Sequence, residues 1–238
     1  MTPRCSALWV CTTLLLGLPL GPLADTRIRR LPRALWPTQY TLDIATDALG
    51  KNFSGNVTIE INVKEDTDNI TLNSRGLDLD RVLLSDQSSG KQLNISGGNS
   101  SGGLLTFFLD SKVKQGDVLR LSLSFHGLLN TGRQRGYYRI RTGSNDHQWM
   151  SGTVFEYNHA REAFPCFDEP EFKAKFRISL TRHRNFTSLS NMPLLHSEFQ
   201  DRSWQLFNLL WVWLPKPNPS PNPKPTGTHG HKPTLSLE

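Results

Sequence analysis

Apolar and polar residues alternate along three long stretches of this chain, and this two-residue period constrains the fold more than any other feature. Tyr40, Leu42 and Ile44 alternate with polar neighbours, and the same pattern recurs over 57–63 and 119–125. Successive side chains of a β-strand point to opposite faces, so each stretch predicts a strand with one buried face. No stretch has the 3.6-residue period of an amphipathic helix.

Shorter apolar runs predict additional strands, at 70–72, 77–84, 104–109, 137–140 and 176–181. Clusters of Gly, Ser, Asn and Asp predict the turns between strands, at 50–52, 66–68, 88–90 and 97–103. Many short strands joined by polar turns are typical of a β-sandwich or a twisted antiparallel sheet. We therefore predict an all-β, antiparallel, sandwich-like domain over residues 30–207.

Residues 1–24 are typical of a secretory signal peptide. Arg4 supplies the positive start, and the 19 residues from Ser6 to Ala24 carry no charge. An uncleaved membrane anchor is the alternative, because a membrane span needs only ~20 apolar residues. Two prolines and a glycine interrupt the stretch, and arginines cluster after it, which favours the cleaved signal.

Asn-x-Ser/Thr sequons support passage through the secretory pathway. The predicted glycosylation sites are Asn52, Asn56, Asn69, Asn94, Asn99 and Asn185. We therefore predict an extracellular or plasma-membrane-associated glycoprotein, attached to the membrane only if its N-terminal segment stays uncleaved.

Cys166 is the one cysteine that follows the signal segment, so no disulfide is expected within the mature chain. A buried free thiol is the simpler interpretation of this residue. A catalytic thiolate would need a base close by, and His159 is the nearest candidate in the sequence.

The sequence lacks the motifs of common catalytic and nucleic-acid-binding centres. No histidine stands in H-E-x-x-H, and no three ligands have the spacing of a zinc site. The net charge of +6 comes without a basic helix or an aromatic stacking array, so nucleic acid is not an expected partner. We expect no metal or other cofactor in this chain and no catalytic residues.

The C-terminal part differs in character from the rest. Residues 204–214 are strongly apolar, and prolines then occupy alternate positions from 215 to 225. Proline removes a backbone donor and fixes φ, so we predict an extended and disordered Pro-rich tail. The tail is either solvated or a ligand for a proline-recognising partner.

The stretch from Thr153 to Phe176 interleaves five phenylalanines with charged residues. Buried charge is costly unless it is paired, so we predict an aromatic-anchored segment that holds a network of ion pairs. Glu156, between two aromatic residues, is able to receive a cationic ligand such as the free α-amine of a peptide. A surface glutamate in a salt bridge is the alternative.

This stretch resembles the signature of the N-terminal domain of zinc aminopeptidases of the aminopeptidase N type, which are gluzincin metallopeptidases. The matching motif residues are Arg161, Pro165, Cys166, Asp168, Glu169, Pro170 and Lys173. Other matching pieces follow in the order of the family: L-P at 31–32, P-x-x-Y-x-L at 37–42, F-x-G-x-V-x-I at 53–59, G-Y-Y-R at 136–139 and S-N-M-P at 190–193.

The resemblance implies a saddle-shaped β-domain that packs on a thermolysin-like catalytic domain, which supplies H-E-x-x-H and the zinc. In the family, a Glu or Gln of a T-Q-x-(E/Q) segment of the β-domain binds the N-terminal amine of the substrate. Glu156 matches that position, although Val154 stands where the family has Gln and Tyr157 where many members have Pro.

The resemblance covers about residues 30–207, and the divergent apolar segment and tail occupy 208–238. We therefore expect a fragment of a zinc metallo-aminopeptidase that contributes amine recognition, takes a peptide N-terminus as partner and is inactive alone. Zinc belongs to the full-length family. The alternative is a secreted binding or regulatory module that pairs with a full-length aminopeptidase or a peptide.

Overall fold

The computed structural model describes residues 30–47, 49–142, 149–199, 204–211 and 234–237. Contacts divide the chain into a unit Met1–Arg30 and a unit Leu31–Glu238. The predicted signal or anchor and the proline run at 215–225 lie outside the described residues. All strands of the described residues belong to the second unit.

Strands and one short 3-10 helix, η1 (Ala160–Glu162), make up the regular structure of the described residues, which include no α-helix. The prediction of an all-β fold is therefore confirmed. Within the same ranges, no helix has the length and apolar composition to cross a membrane. The strands are β1 (Leu35–Asp47), β2 (Asn52–Val63), β3 (Thr67–Asn73), β4 (Leu77–Asp86), β5 (Gln92–Leu93), β6 (Ile95–Ser101), β7 (Leu104–Val113), β8 (Val118–Leu128), β9 (Gly136–Arg141), β10 (Trp149–Val154), β11 (Lys175–His183), β12 (Thr187–Ser190), β13 (Leu194–Phe199), β14 (Trp204–Trp211) and β15 (Thr234–Leu237).

The largest sheet has eight strands in the order β13-β14-β11-β1-β2-β8-β4-β5. The three stretches with a two-residue period form its centre, as β1, β2 and β8. In β2 the buried residues Val57, Ile59 and Ile61 alternate with half-buried polar residues. The alternation therefore marks the buried face of the central strands, as predicted.

One pairing in this sheet departs from the predicted antiparallel arrangement: β1 and β11 run parallel. Parallel strands cannot be joined by a hairpin, and here the connection contains most of the domain. The register sets Tyr40 beside Phe176, and their rings stack with centroids 4.5 Å apart. This contact between distant residues carries no local signal in the sequence.

Two smaller sheets complete the domain, with the orders β3-β7-β6 and β12-β15-β10-β9. Ile70 of β3 and Phe107 of β7 belong to the same hydrophobic cluster as Ile59 and Leu121 of the large sheet. This shared core between sheets supports the predicted sandwich-like arrangement.

One prediction made from local composition was wrong. The predicted turn at 97–103 is mostly strand, because β6 extends to Ser101 and pairs with β7 through its backbone. Beyond the proline run, Thr234–Leu237 forms β15, which pairs with β10 and β12. Thr234–Leu237 follows the last proline, so none of its backbone N–H groups is missing.

Gly55 of β2 lies where the backbone of β1 and the ring of Phe125 approach closely. A Cβ at this position would lie 2.6 Å from the carbonyl oxygen of Asp43 and 2.7 Å from the Phe125 ring. The backbone of β1 is held in the sheet, so it cannot shift away from an added Cβ as the flexible end of a side chain can. The position therefore requires glycine for space.

We predict that Gly55→Ala lowers the free energy of unfolding by about 1–3 kcal/mol, because the added methyl group overpacks the sheet. Gly97→Ala is the control, since a Cβ there meets nothing within 4 Å; its change should stay within about 0.5 kcal/mol. Chemical denaturation of both variants measures the difference. Equal stability of the two variants would contradict the packing described here.

Candidate functional site

Glu156 lies just beyond the C-terminal end of β10. The chain leaves the sheet after Val154, and a turn follows in which the N–H of His159 donates to the carbonyl of Phe155 at 2.9 Å. Phe155 is half-buried, whereas Glu156 and Tyr157 are exposed. The inward aromatic ring fixes the turn that presents the carboxylate to solvent.

A cavity of about 380 Å³ opens beside this turn. Its walls are largely aromatic and include Phe155, Tyr157 and Phe164, while Glu156 and Lys173 contribute charge. The remaining lining residues are Tyr40, Ala160, Cys166, Phe167, Asp168, Glu169, Pro170, Phe172 and Phe176. The structure therefore brings Glu156 and five of the seven predicted motif residues together around one concavity.

The carboxylate of Glu156 makes no hydrogen bond or ion pair with any residue in the described part of the chain. The surface salt bridge considered as an alternative is therefore absent among those residues. An exposed carboxylate beside an aromatic concavity is available to a cation from outside the chain.

Aromatic rings anchor the segment between β10 and β11. The ring of Phe164 lies edge-on to Phe155 and Tyr40, with centroids 5.9 and 6.3 Å apart. Phe167 and Phe172 pack on each other at 5.4 Å. The predicted role of these phenylalanines as anchors agrees with this packing, because each pair adds specific geometry to its buried area.

Arg161 and Asp168 form the central ion pair of the segment. The Nε of Arg161 donates to Asp168 Oδ2 at 2.7 Å, and both side chains are 11% exposed. A second nitrogen of the guanidinium donates to the backbone carbonyl of Asp168 at 3.0 Å. This geometry closes the loop from η1 to Asp168 and satisfies both charges.

Residues distant in the sequence hold the same loop, and the sequence analysis did not identify them. Asn73 and Cys166 form an isolated antiparallel β-bridge through their backbones. The side-chain oxygen of Asn73 also accepts a hydrogen bond from the N–H of Asp168 at 3.0 Å. The hydroxyl of Tyr40 accepts from the N–H of Phe167 at 3.1 Å. A single sequence carries no signal for these partners, because they lie far apart in the chain and only the fold buries the Asn73 amide.

The other motif residues lie around this loop. The N–H of Leu31 donates to Glu169 at 2.7 Å, which ties the loop to the start of the domain. Pro165 is buried, whereas Pro170 and Lys173 are exposed. The motif thus combines a buried scaffold with exposed groups on the cavity side.

Glu162 forms a second charged cluster, which also escaped the sequence analysis. Its side chain is 8% exposed and lies 3.3 Å from both Arg135 and His159 and 3.6 Å from Arg75. Gly136 allows this approach, because a Cβ there would lie 2.6 Å from that of Glu162 and its φ is +60°. The cluster fixes η1 against the start of β9.

Cys166 is a buried free thiol, in agreement with the simpler interpretation of the sequence. Burial raises the pKa of the thiol well above its ordinary value, and nearby Asp168 raises it further while Arg161 opposes the shift. His159 pairs instead with Glu162. A neutral buried thiol does not act as a nucleophile.

Comparison with known families matches residues 36–210 to the Peptidase M1 N-terminal domain. The chain belongs to the M1 peptidase family. The resemblance stated from the motif is thus confirmed, and the M1 domain spans all strands from β1 to most of β14.

Curated relatives of this M1 domain are aminopeptidases. It is 33% identical over 179 residues to the puromycin-sensitive aminopeptidase of Caenorhabditis elegans, covering 74% of this chain and 19% of the relative. It is 33% identical over 183 residues to the glutamyl aminopeptidase of Rattus norvegicus, with the same coverage. It is 30% identical over 195 residues to aminopeptidase N of Acetobacter pasteurianus, covering 78% of this chain and 54% of the relative. The chain therefore spans about a fifth of the length of the first two relatives.

The residues of this M1 domain do not fit the zinc ion of the family. In the described ranges, no group of three or more His, Cys, Asp and Glu side chains is placed to hold a metal. His126 comes nearest, with Asp80 at 3.0 Å and Asp78 at 3.6 Å, but these contacts are ion pairs between exposed side chains. No reaction step is therefore assigned to a metal in this chain.

Five of the six predicted glycosylation sites are exposed, and Asn69 is half-buried. The amide of Asn69 donates to Asp68 at 3.1 Å, and Asn56 accepts from Ser124 at 2.7 Å. The accessible sites with no such contact are Asn52, Asn94, Asn99 and Asn185. Glycosylation and secretion stay predictions.

We predict that Asp168→Ala lowers the free energy of unfolding by about 3–5 kcal/mol, because it leaves the nearly buried guanidinium of Arg161 without its counter-ion. Arg33→Ala is the control: Arg33 is 74% exposed and pairs with Glu171 at 3.0 Å. A surface pair of this kind contributes no more than about 1 kcal/mol. Chemical denaturation measures both, and similar losses would contradict the role given to Asp168.

Proposed function

We propose that this M1 domain recognises the free α-amine of peptides through Glu156 and serves an aminopeptidase in that role. The observation that carries the proposal is the carboxylate of Glu156, exposed on a cavity of about 380 Å³ and unpaired within the described residues. A protonated amine offers three donors and a charge opposite to that of the carboxylate.

The walls of the cavity favour a cationic ligand. Phe155 and Tyr157 flank Glu156, and aromatic faces attract cations as well as apolar side chains. An aromatic wall also displaces water from one side of the carboxylate, which strengthens its attraction for an ammonium group. A peptide N-terminus combines both features, since it joins an ammonium group to a side chain.

Recognition of the amine agrees with the activity named for the relatives. An aminopeptidase removes the first residue of a peptide, so an anion that holds the amine fixes which bond is presented for cleavage. In this proposal the M1 domain contributes only the positioning, and the hydrolysis itself is left to a catalytic domain of the kind that the family resemblance implies.

We predict that the purified chain, incubated with zinc and an aminoacyl fluorogenic substrate, releases no fluorophore above the rate of zinc alone. The sequence has no H-E-x-x-H, so nothing is expected to hold the metal that activates water. A full-length M1 aminopeptidase is the positive control. Metal-dependent turnover by the purified chain would contradict the predicted inactivity. It would not decide whether Glu156 binds the amine, which the peptide titration tests separately.

We predict that a dipeptide with a free amine perturbs the amide resonances of residues 154–160 in NMR titrations, and that its N-acetylated form does not. Glu156→Gln should weaken the binding about tenfold or more, because a charge-assisted hydrogen bond contributes about 1.5–3 kcal/mol. Glu171→Gln is the matched control, since it removes a carboxylate of the same segment that does not line the cavity.

Two outcomes of this titration would overturn the proposal. Equal binding of the free and acetylated peptides would show that the amine is not recognised. Unchanged affinity in Glu156→Gln, with the folded spectrum retained, would show that another group binds it.

A further inference from the structure

The two ends of the eight-stranded sheet differ in how they are protected. At one end, the two-residue β5 pairs only with Leu84 and Ser85 of β4, so the outer edge of β4 from Leu77 to Leu83 has no partner strand among the described residues. That edge carries Asp78, Asp80 and Arg81, and charged residues discourage the addition of a further strand. At the other end, β13 has six residues and, within the described part of the chain, pairs only with β14. No lysine or proline lies within β13 to discourage a further strand.

The side chains of β13 are unusually apolar for an open edge. Leu194, Leu195 and Phe199 are 51%, 57% and 68% exposed. A bulge interrupts the pairing with β14 between Leu194 and His196, and the strand is regular from His196 to Phe199. This stretch is therefore a straight and partly apolar edge that presents backbone donors and acceptors.

We propose that β13 is a dimerisation edge, which pairs antiparallel with β13 of a second copy of this chain about a two-fold axis through Ser197. Such an interface is isologous, so each contact occurs twice and must be self-complementary. The sequence around Ser197 meets that requirement, and this is the reason to choose a second copy over an unrelated strand.

The self-complementary register follows from the sequence of the strand. With Ser197 opposite its own copy, His196 stands opposite Glu198 of the second copy, and Leu195 opposite Phe199 of the second copy. His196 and Glu198 lie on one face, since their side chains already approach to 3.6 Å within the strand. Directly opposed residues interact most strongly in an antiparallel pair, so the face that carries His196 and Glu198 gains two favourable contacts.

A six-residue edge makes a small interface, so the dimer is weak and depends on concentration. A substitution that makes two opposed residues repel each other weakens the dimer at two places, because each contact of a symmetric interface occurs twice. We expect each single charge change below to raise the dimer dissociation constant about tenfold or more.

Sedimentation equilibrium of the full chain over a wide concentration range tests the proposal. The wild type should approach the dimer mass at high concentration. His196→Glu opposes two carboxylates, which repel each other, and Glu198→Lys removes the acceptor that faces His196, so each variant alone should dimerise far more weakly than the wild type. The two variants mixed should form a heterodimer, because the new carboxylate of one copy then stands opposite the new lysine of the other.

The mixture separates pairing between copies from effects within one strand, since mixing cannot repair a defect inside a chain. Circular dichroism of each variant confirms that the fold is retained. A wild type that stays monomeric at every concentration would overturn the proposal. Single variants that dimerise like the wild type, or a mixture that stays monomeric, would overturn the register.

Discussion

The parallel pairing of β1 with β11 is the constraint on which the rest of the structure depends. It sets Tyr40 against Phe176, and the segment between β10 and β11 must then fold over β1. Tyr40 acts twice in this arrangement, because its ring stacks on Phe176 and its hydroxyl accepts from the N–H of Phe167. The cavity beside Glu156 is a consequence of that closure.

The carboxylates of the segment divide into two groups with different roles. Asp168 and Glu162 are nearly buried and each meets an arginine, so their charges are compensated within the fold. Glu156 is exposed and has no partner among the described residues. The buried pairs satisfy the charges of the loop, and the proposed recognition of an amine depends on the loop that they hold beside Glu156.

The sequence predicted those parts of the structure that depend on local pattern. Alternation placed β1, β2 and β8 correctly, because one buried face imposes a period of two on any strand. The use of composition to predict turns failed at 97–103, where the strand β6 is stabilised by backbone pairing with β7 rather than by its side chains. The glycines and serines of this segment therefore led to the prediction of a turn, although they belong to the edge strand β6.

The site was predictable only in part, for a related reason. The motif identified the loop, and the charges around Arg161 implied ion pairs. The roles of Asn73 and Tyr40 depend on contacts across 95 and 127 positions of the chain, for which a single sequence carries no signal. The unpaired state of Glu156 is equally a property of the surroundings, and only coordinates reveal it.

The most direct measurement of the central claim is a crystal structure of the chain with a bound peptide that has a free N-terminus. The account predicts the peptide nitrogen at about 2.7–2.9 Å from a carboxylate oxygen of Glu156, the length of a charge-assisted hydrogen bond. A peptide whose amine is bound elsewhere on the domain, with Glu156 left in solvent, would contradict it.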